Sequence, residues 1–224
     1  MPTPPALTQR LWGSIAGLYG QILAHPFLAG LADGSLDQER FRFYVVQDAL
    51  FLRDYARALS VCGARAPAED DVAMFNQHAA GAIAVERELH GSFLADFGLT
   101  PAEVEATPMA PTNQAYTSYL LASVYAGSFA EAVAAVLPCY WIYAEVGGQL
   151  VERGSPDPLY RRWIDTYGGE EFAAVVGAVR DLTDRVGAGL GDAELARVHQ
   201  RFVTTSRYEW MFWDAAWRQE RWPV

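Results

Sequence analysis

Residues 131–145 read Glu-Ala-Val-Ala-Ala-Val-Leu-Pro-Cys-Tyr-Trp-Ile-Tyr-Ala-Glu, and this stretch decides the fold. The apolar run from Ala132 to Ala144 lies between two glutamates and falls short of the roughly 20 residues that a spanning helix needs. It has no alternation of apolar and polar residues, so it reads as a buried helix of a bundle. Pro138 deletes the hydrogen bond to the carbonyl of Ala134, and a kink is expected one turn before Cys139. Cys139 and Tyr143 are four apart and share a face. Two readings of Cys139 stay open at this point. It is either a nucleophile held with a hydroxyl over a hydrophobic wall, suited to attack on a flat apolar ring, or a small core hydrophobe, as buried cysteines often are.

Outward from this stretch, helix signals recur along the chain. Helices are expected at about 7–23, from a capping box at Ser35 and Gln38 to Ala64, from Pro67 to Phe97, and from Thr100-Pro101-Ala102-Glu103 onward. Residues 26–34 read as a loop on account of Gly30, Asp33 and Gly34. Further helices are expected at 113–126, 128–152, 157–166, 170–186 and 192–220. Hairpin turns, internal repeats and linkers are missing, so the fold class is all-α, a single domain over 1–224.

Composition narrows the function. The chain of 224 residues has a formal charge of −10, which repels phosphate backbones and anionic lipid, so nucleic-acid and membrane partners are not expected. All 17 basic residues are arginines, which excludes a Schiff-base lysine and a P-loop lysine. Cys62 and Cys139 are the only cysteines, too few for a disulfide framework or a thiolate metal cluster. The N-terminus lacks the basic and apolar regions of a signal peptide, and a cytoplasmic location is the expectation.

Two carboxylates face the wrong way. Asp48 interrupts the stripe of Phe41, Tyr44, Val45, Phe51, Leu52 and Tyr55, and Glu209 lies among Phe202, Phe212, Trp213 and Ala216. Burying a carboxylate unpaired costs several kcal/mol, so each must be paired, protonated or functional. With Cys139 they point to a central pocket, to which Tyr116 and Tyr167 can add hydroxyls. His25, His78, His90 and His199 are less telling. Glu86 and His90 are four apart and allow a metal-dependent oxidase as an alternative, though no second matching pair stands out.

Several stretches together resemble the TenA family, also called thiaminase II or aminopyrimidine aminohydrolase. They are His25-Pro26-Phe27, Tyr44-Val45-Val46-Gln47-Asp48, Tyr116-Thr117-Ser118, Gly127-Ser128-Phe129-Ala130-Glu131, the run 137–147, Trp163 to Gly169, and Ser206 to Trp213. The resemblance implies a heme-oxygenase-like helical bundle, usually a homotetramer, with no metal or organic cofactor and a small pyrimidine substrate. It implies that Cys139 attacks the pyrimidine ring, that Glu209 protonates the ring nitrogen, and that Asp48 binds the amidine edge. Tyr116, Tyr143 and Tyr167 match hydroxyls that order the pocket. Phe51 stands where some members have a tyrosine. The implied products are hydroxymethylpyrimidine with ammonia or, from thiamin, with thiazole. A non-catalytic regulatory role is a further alternative, against which the acidic surface argues. If Glu209 is the acid, activity is expected to fall on the alkaline side as it ionises and on the acid side as the Cys139 thiolate is lost.

Overall fold

The computed structural model describes residues 5–85 and 91–224. The helices in chain order are α1 (Leu7–Ser14), α2 (Ala16–Leu23), α3 (Pro26–Asp33), α4 (Gln38–Arg65), α5 (Glu69–Val85), α6 (Gly91–Asp96), α7 (Pro101–Ala106), α8 (Pro111–Ala126), α9 (Phe129–Arg153), α10 (Pro158–Tyr167), α11 (Glu170–Gly187) and α12 (Asp192–Arg218). Among the described residues there is no strand, and the all-α reading holds.

Local chemistry accounts for the boundaries that differ from the expectations. The first expected helix breaks at Ile15, whose φ of −109° and ψ of 8° leave the helical region between Gly13 and Gly17, both poor helix formers. The stretch read as a loop is α3. Pro26 sits at its first position, and the His25 ring accepts a bond from the Phe27 amide at 3.2 Å. Gly30 is tolerated inside α3 because Leu36 packs where a β-carbon would stand, 3.0 Å away. Gly34 closes α3 in the left-handed conformation, with φ of 78°. The cap of α4 is Asp37 rather than Ser35; its carboxylate accepts from the amides of Glu39 and Arg40. The expected helix from Pro67 to Phe97 is α5 and α6, with residues 86–90 outside the described residues. The Thr100–Glu103 capping box is present as expected.

The apolar segment lies at the centre. Helix α9 is contacted by α4, α8, α10, α11 and α12, which explains why it needs so few polar residues. At 25 residues and a mean hydropathy of 1.3 over its most apolar window, α9 is long and apolar enough to cross a membrane, contrary to the shorter estimate from Ala132–Ala144. Most of that window is buried within the bundle. Ser128 caps α9 through the Glu131 amide, but the Glu131 side chain turns away to the guanidinium groups of Arg197 at 2.7 Å and Arg201 at 3.3 Å. A buried carboxylate thus ties α9 to α12. Glu131→Ala removes both ion pairs while the partly exposed arginines stay solvated; a loss of about 1 kcal/mol in urea unfolding is expected.

One close approach positions the far end of the bundle. A β-carbon on Gly147 of α9 would stand 2.5 Å from the Tyr167 backbone carbon and 2.6 Å from its oxygen. Only glycine lets the end of α10 lie this near α9. Gly147→Ala is therefore expected to cost about 1–3 kcal/mol, the range for overpacking, with helix content by circular dichroism unchanged.

Candidate active site

Asp48 and Tyr55 from α4, His78 from α5, Cys139, Tyr140 and Tyr143 from α9, Tyr167 from α10 and Glu171 from α11 line one cavity of about 560 Å³. Apolar walls come from Leu52, Leu59, Phe172 and Val175. Among the described residues no arginine lines it, so its charged groups are carboxylates. Such a lining favours a planar ligand carrying positive charge or several N–H donors.

Four of the seven residues singled out in the sequence meet in this lining: Asp48, Cys139, Tyr143 and Tyr167. Glu209, Tyr116 and Phe51 stand in the layer behind it. Glu209 is 2% exposed and accepts a 2.5 Å bond from the Tyr116 hydroxyl. Phe51 fills the space beside that pair, its ring 4.9 Å from Tyr116, 5.5 Å from Tyr55 and 5.6 Å from Phe212. The Tyr167 hydroxyl donates to the Asp48 carboxylate. The Tyr143 and Tyr44 hydroxyls are 3.0 Å apart, and the Tyr143 ring stacks on Trp213. The aromatic shell thus holds each hydroxyl in a defined place.

Electrostatics set the protonation states. Burial pushes the Glu209 carboxyl up to about 8, with the Asp48 charge adding to the rise and the Tyr116 bond opposing it. Burial also pushes the Cys139 thiol well above its ordinary value, helped by the negative charges of Glu209 and Asp48, while the neighbouring Tyr55 hydroxyl works the other way. Burial therefore favours the thiol form of Cys139 at neutral pH. Cys139 sits in the middle of α9, remote from that helix's N-terminus, and among the described residues no arginine lies in the lining to stabilise a thiolate. Cys62 is fully buried on α4 and stands apart from the lining.

Tyr55, His78 and Tyr140 join the site without having been singled out for it. Tyr140 was readable as the neighbour of Cys139, and Tyr55 as a hydroxyl one turn or two beyond Asp48 on the same apolar stripe. His78 carries no such signal, because a lone histidine among Met74, Phe75, Gly81 and Ala82 reads as an ordinary packed side chain of α5. Glu86 and His90, the alternative metal pair, lie outside the described residues. Among the described residues no three His, Cys, Asp or Glu side chains group as they would around a metal ion.

The family model described as TENA/THI-4/PQQC matches residues 12–219. The chain belongs to this family. An aminopyrimidine aminohydrolase of Bacillus subtilis (strain 168) is 37% identical over 198 residues, covering 88% of this chain and 84% of the relative. A TenA homologue from P. horikoshii OT3 superposes with a TM-score of 0.88 at 31% identity, over 96% of this chain and 99% of that one. A domain from Shewanella denitrificans OS217 described as having a heme oxygenase-like fold gives a TM-score of 0.76 over 95% of this chain and 92% of that one. At 13% identity it speaks for the architecture alone, and the heme-oxygenase-like bundle is the fold of this family member.

Proposed function

We propose that this protein is an aminopyrimidine hydrolase of thiamin salvage that acts through a covalent cysteine adduct. One observation carries the mechanism: a fully buried carboxyl, Glu209, bonded to the Tyr116 hydroxyl and pushed up to about 8 by burial, stands behind a cavity lined by a thiol and a second carboxylate. The chemistry needs those three groups together. An aminopyrimidine ring is a poor electrophile until a ring nitrogen is protonated, so the acid and the nucleophile must act in concert. In this reading Asp48, already oriented by Tyr167, accepts the N–H donors of the amidine edge. Glu209 supplies the ring proton, and Cys139 Sγ bonds to the ring carbon. Loss of aromaticity lets the exocyclic methylene expel ammonia, or thiazole when thiamin is the substrate. Water adds at the methylene, the Cys139 C–S bond breaks, and hydroxymethylpyrimidine forms.

The names of the relatives support the substrate class, and the acidic cavity suits it. A cytoplasmic homotetramer belongs to the same proposal; light scattering on the purified protein measures its mass directly. To test the activity, the protein is incubated with 4-amino-5-aminomethyl-2-methylpyrimidine and with thiamin, each followed for hydroxymethylpyrimidine. Release from at least one is expected, and release from neither overturns the proposal.

A further inference from the structure

We propose that His78 accepts the Cys139 proton through a relay formed by the hydroxyls of Tyr55 and Tyr140. The inference rests on the reading that Cys139 is the nucleophile, and it answers a need the site leaves open. Among the described residues no arginine lines the cavity beside the thiol, and Cys139 is far from the start of α9, so a base must take its proton as attack proceeds.

The four side chains line the same cavity. The Tyr55 hydroxyl is placed to interact with the Cys139 sulfur and with the Tyr140 hydroxyl. The Tyr55 and Tyr140 rings meet edge-on with centroids 5.7 Å apart, and the His78 ring lies 5.6 Å from that of Tyr140. His78 Nδ1 is 3.1 Å from the Tyr140 oxygen. At rest the Tyr55 hydrogen points to the Val136 carbonyl at 2.9 Å, so a rotation about its C–O bond completes the chain. The path runs from a sulfur in α9 to an imidazole on α5 that is only half-buried.

The step balances. The Cys139 S–H proton passes to the Tyr55 oxygen as the Tyr55 proton passes to Tyr140. The Tyr140 proton passes to His78 Nδ1, in the tautomer that carries its resting hydrogen on Nε2. The result is a thiolate and an imidazolium, separated only as attack on the ring consumes the thiolate. When the thiol leaves, the same path returns the proton.

Other bases facing the cavity are less suited. Tyr143 and Tyr167 are phenols whose ionisation burial opposes. Asp48 is engaged by Tyr167, and Glu209, in the layer behind the lining, has its pKa pushed up to about 8 by burial. Glu171 enters the lining from the exposed face of α11. Burial lowers the His78 pKa from 6.5, which keeps its ring neutral and able to accept near neutrality.

The test is the pH dependence of Cys139 alkylation by iodoacetamide, read by mass spectrometry of the Cys139 peptide between pH 5 and 9. With the relay, the rate in the unmodified protein climbs through a midpoint below 6.5 to a plateau, then rises again with hydroxide. His78→Gln should lose the plateau and slow labelling at pH 7 by about 10²-fold, the lower end of general-base effects. Tyr140→Phe keeps the histidine but breaks the chain, so it should lose the plateau as well. A merely structural His78–Tyr140 bond would leave the shape of the profile unchanged. Absence of the plateau in the unmodified protein, or its persistence in both variants, overturns the relay. Failure of the underlying reading is separate: it appears as normal turnover in Cys139→Ser, whatever the alkylation profiles.

Discussion

Cys139→Ser is expected to bind the pyrimidine and fail to turn it over, with activity reduced on the order of 10³-fold or more, the scale seen when a covalent nucleophile is removed. A serine hydroxyl fits the space of the thiol but ionises far less readily, and this cavity already penalises the negative form. Binding should survive because Asp48 and Tyr167, which face the amidine edge in the proposed reaction, are untouched. Stability should change by less than about 1 kcal/mol, since a serine in α9 can bond to the carbonyl one turn before it. The experiment pairs turnover with pyrimidine binding by calorimetry on the same preparation. Cys62→Ser is the contrast: Cys62 is buried away from the cavity, so any loss there should track unfolding rather than turnover. Near-normal activity of Cys139→Ser would return Cys139 to the role of a small core hydrophobe.

Different layers of this molecule were legible in the sequence to different degrees. Helix starts with a side-chain cap, such as Thr100 with Glu103 and Ser128 before α9, are local events and can be read directly. Helix α3 hides because Gly30 and Gly34 look like breakers, and only the packing of Leu36 against Gly30 explains why the first sits inside a helix. Asp48 and Glu209 stood out because a carboxylate in an apolar stripe is costly without a reason. Their arrangement did not: Asp48 lines the cavity while Glu209 lies behind it, held by Tyr116. Phe51 likewise packs against Tyr116 rather than facing the cavity, which depends on how α4, α8 and α12 cross. His78 was beyond reach, since its helix brings it to Tyr140 from 62 residues away.

Glu209→Gln is expected to separate activity from stability, with opposite signs. Amide nitrogen cannot supply an acidic proton, so turnover should fall about 10²–10⁴-fold, the usual range for losing a general acid. Stability should rise. In the folded protein the carboxyl titrates at about 8, whereas its ordinary value is 4.5. Between those values the unfolded chain releases the proton and the folded chain keeps it. The unfolded state then binds fewer protons, and wild-type stability declines as pH climbs from 4.5 to 8. Glutamine does not titrate, so the variant avoids that decline. At pH 7 the difference amounts to about 3 kcal/mol at most. It is reduced by about 1 kcal/mol if the new amide N–H₂ finds no acceptor beside Tyr116. Urea unfolding of both proteins at pH 5, 6, 7 and 8 should show the gap widening with pH and levelling off above 8. Wild-type turnover should decline over the same alkaline limb. Its acid limb reports the proton acceptor rather than Cys139, because the thiol is un-ionised throughout that range. A variant that keeps wild-type turnover shows that water or another group protonates the ring. A gap that does not change with pH shows that Glu209 is already ionised in the folded protein, which would remove it as the acid.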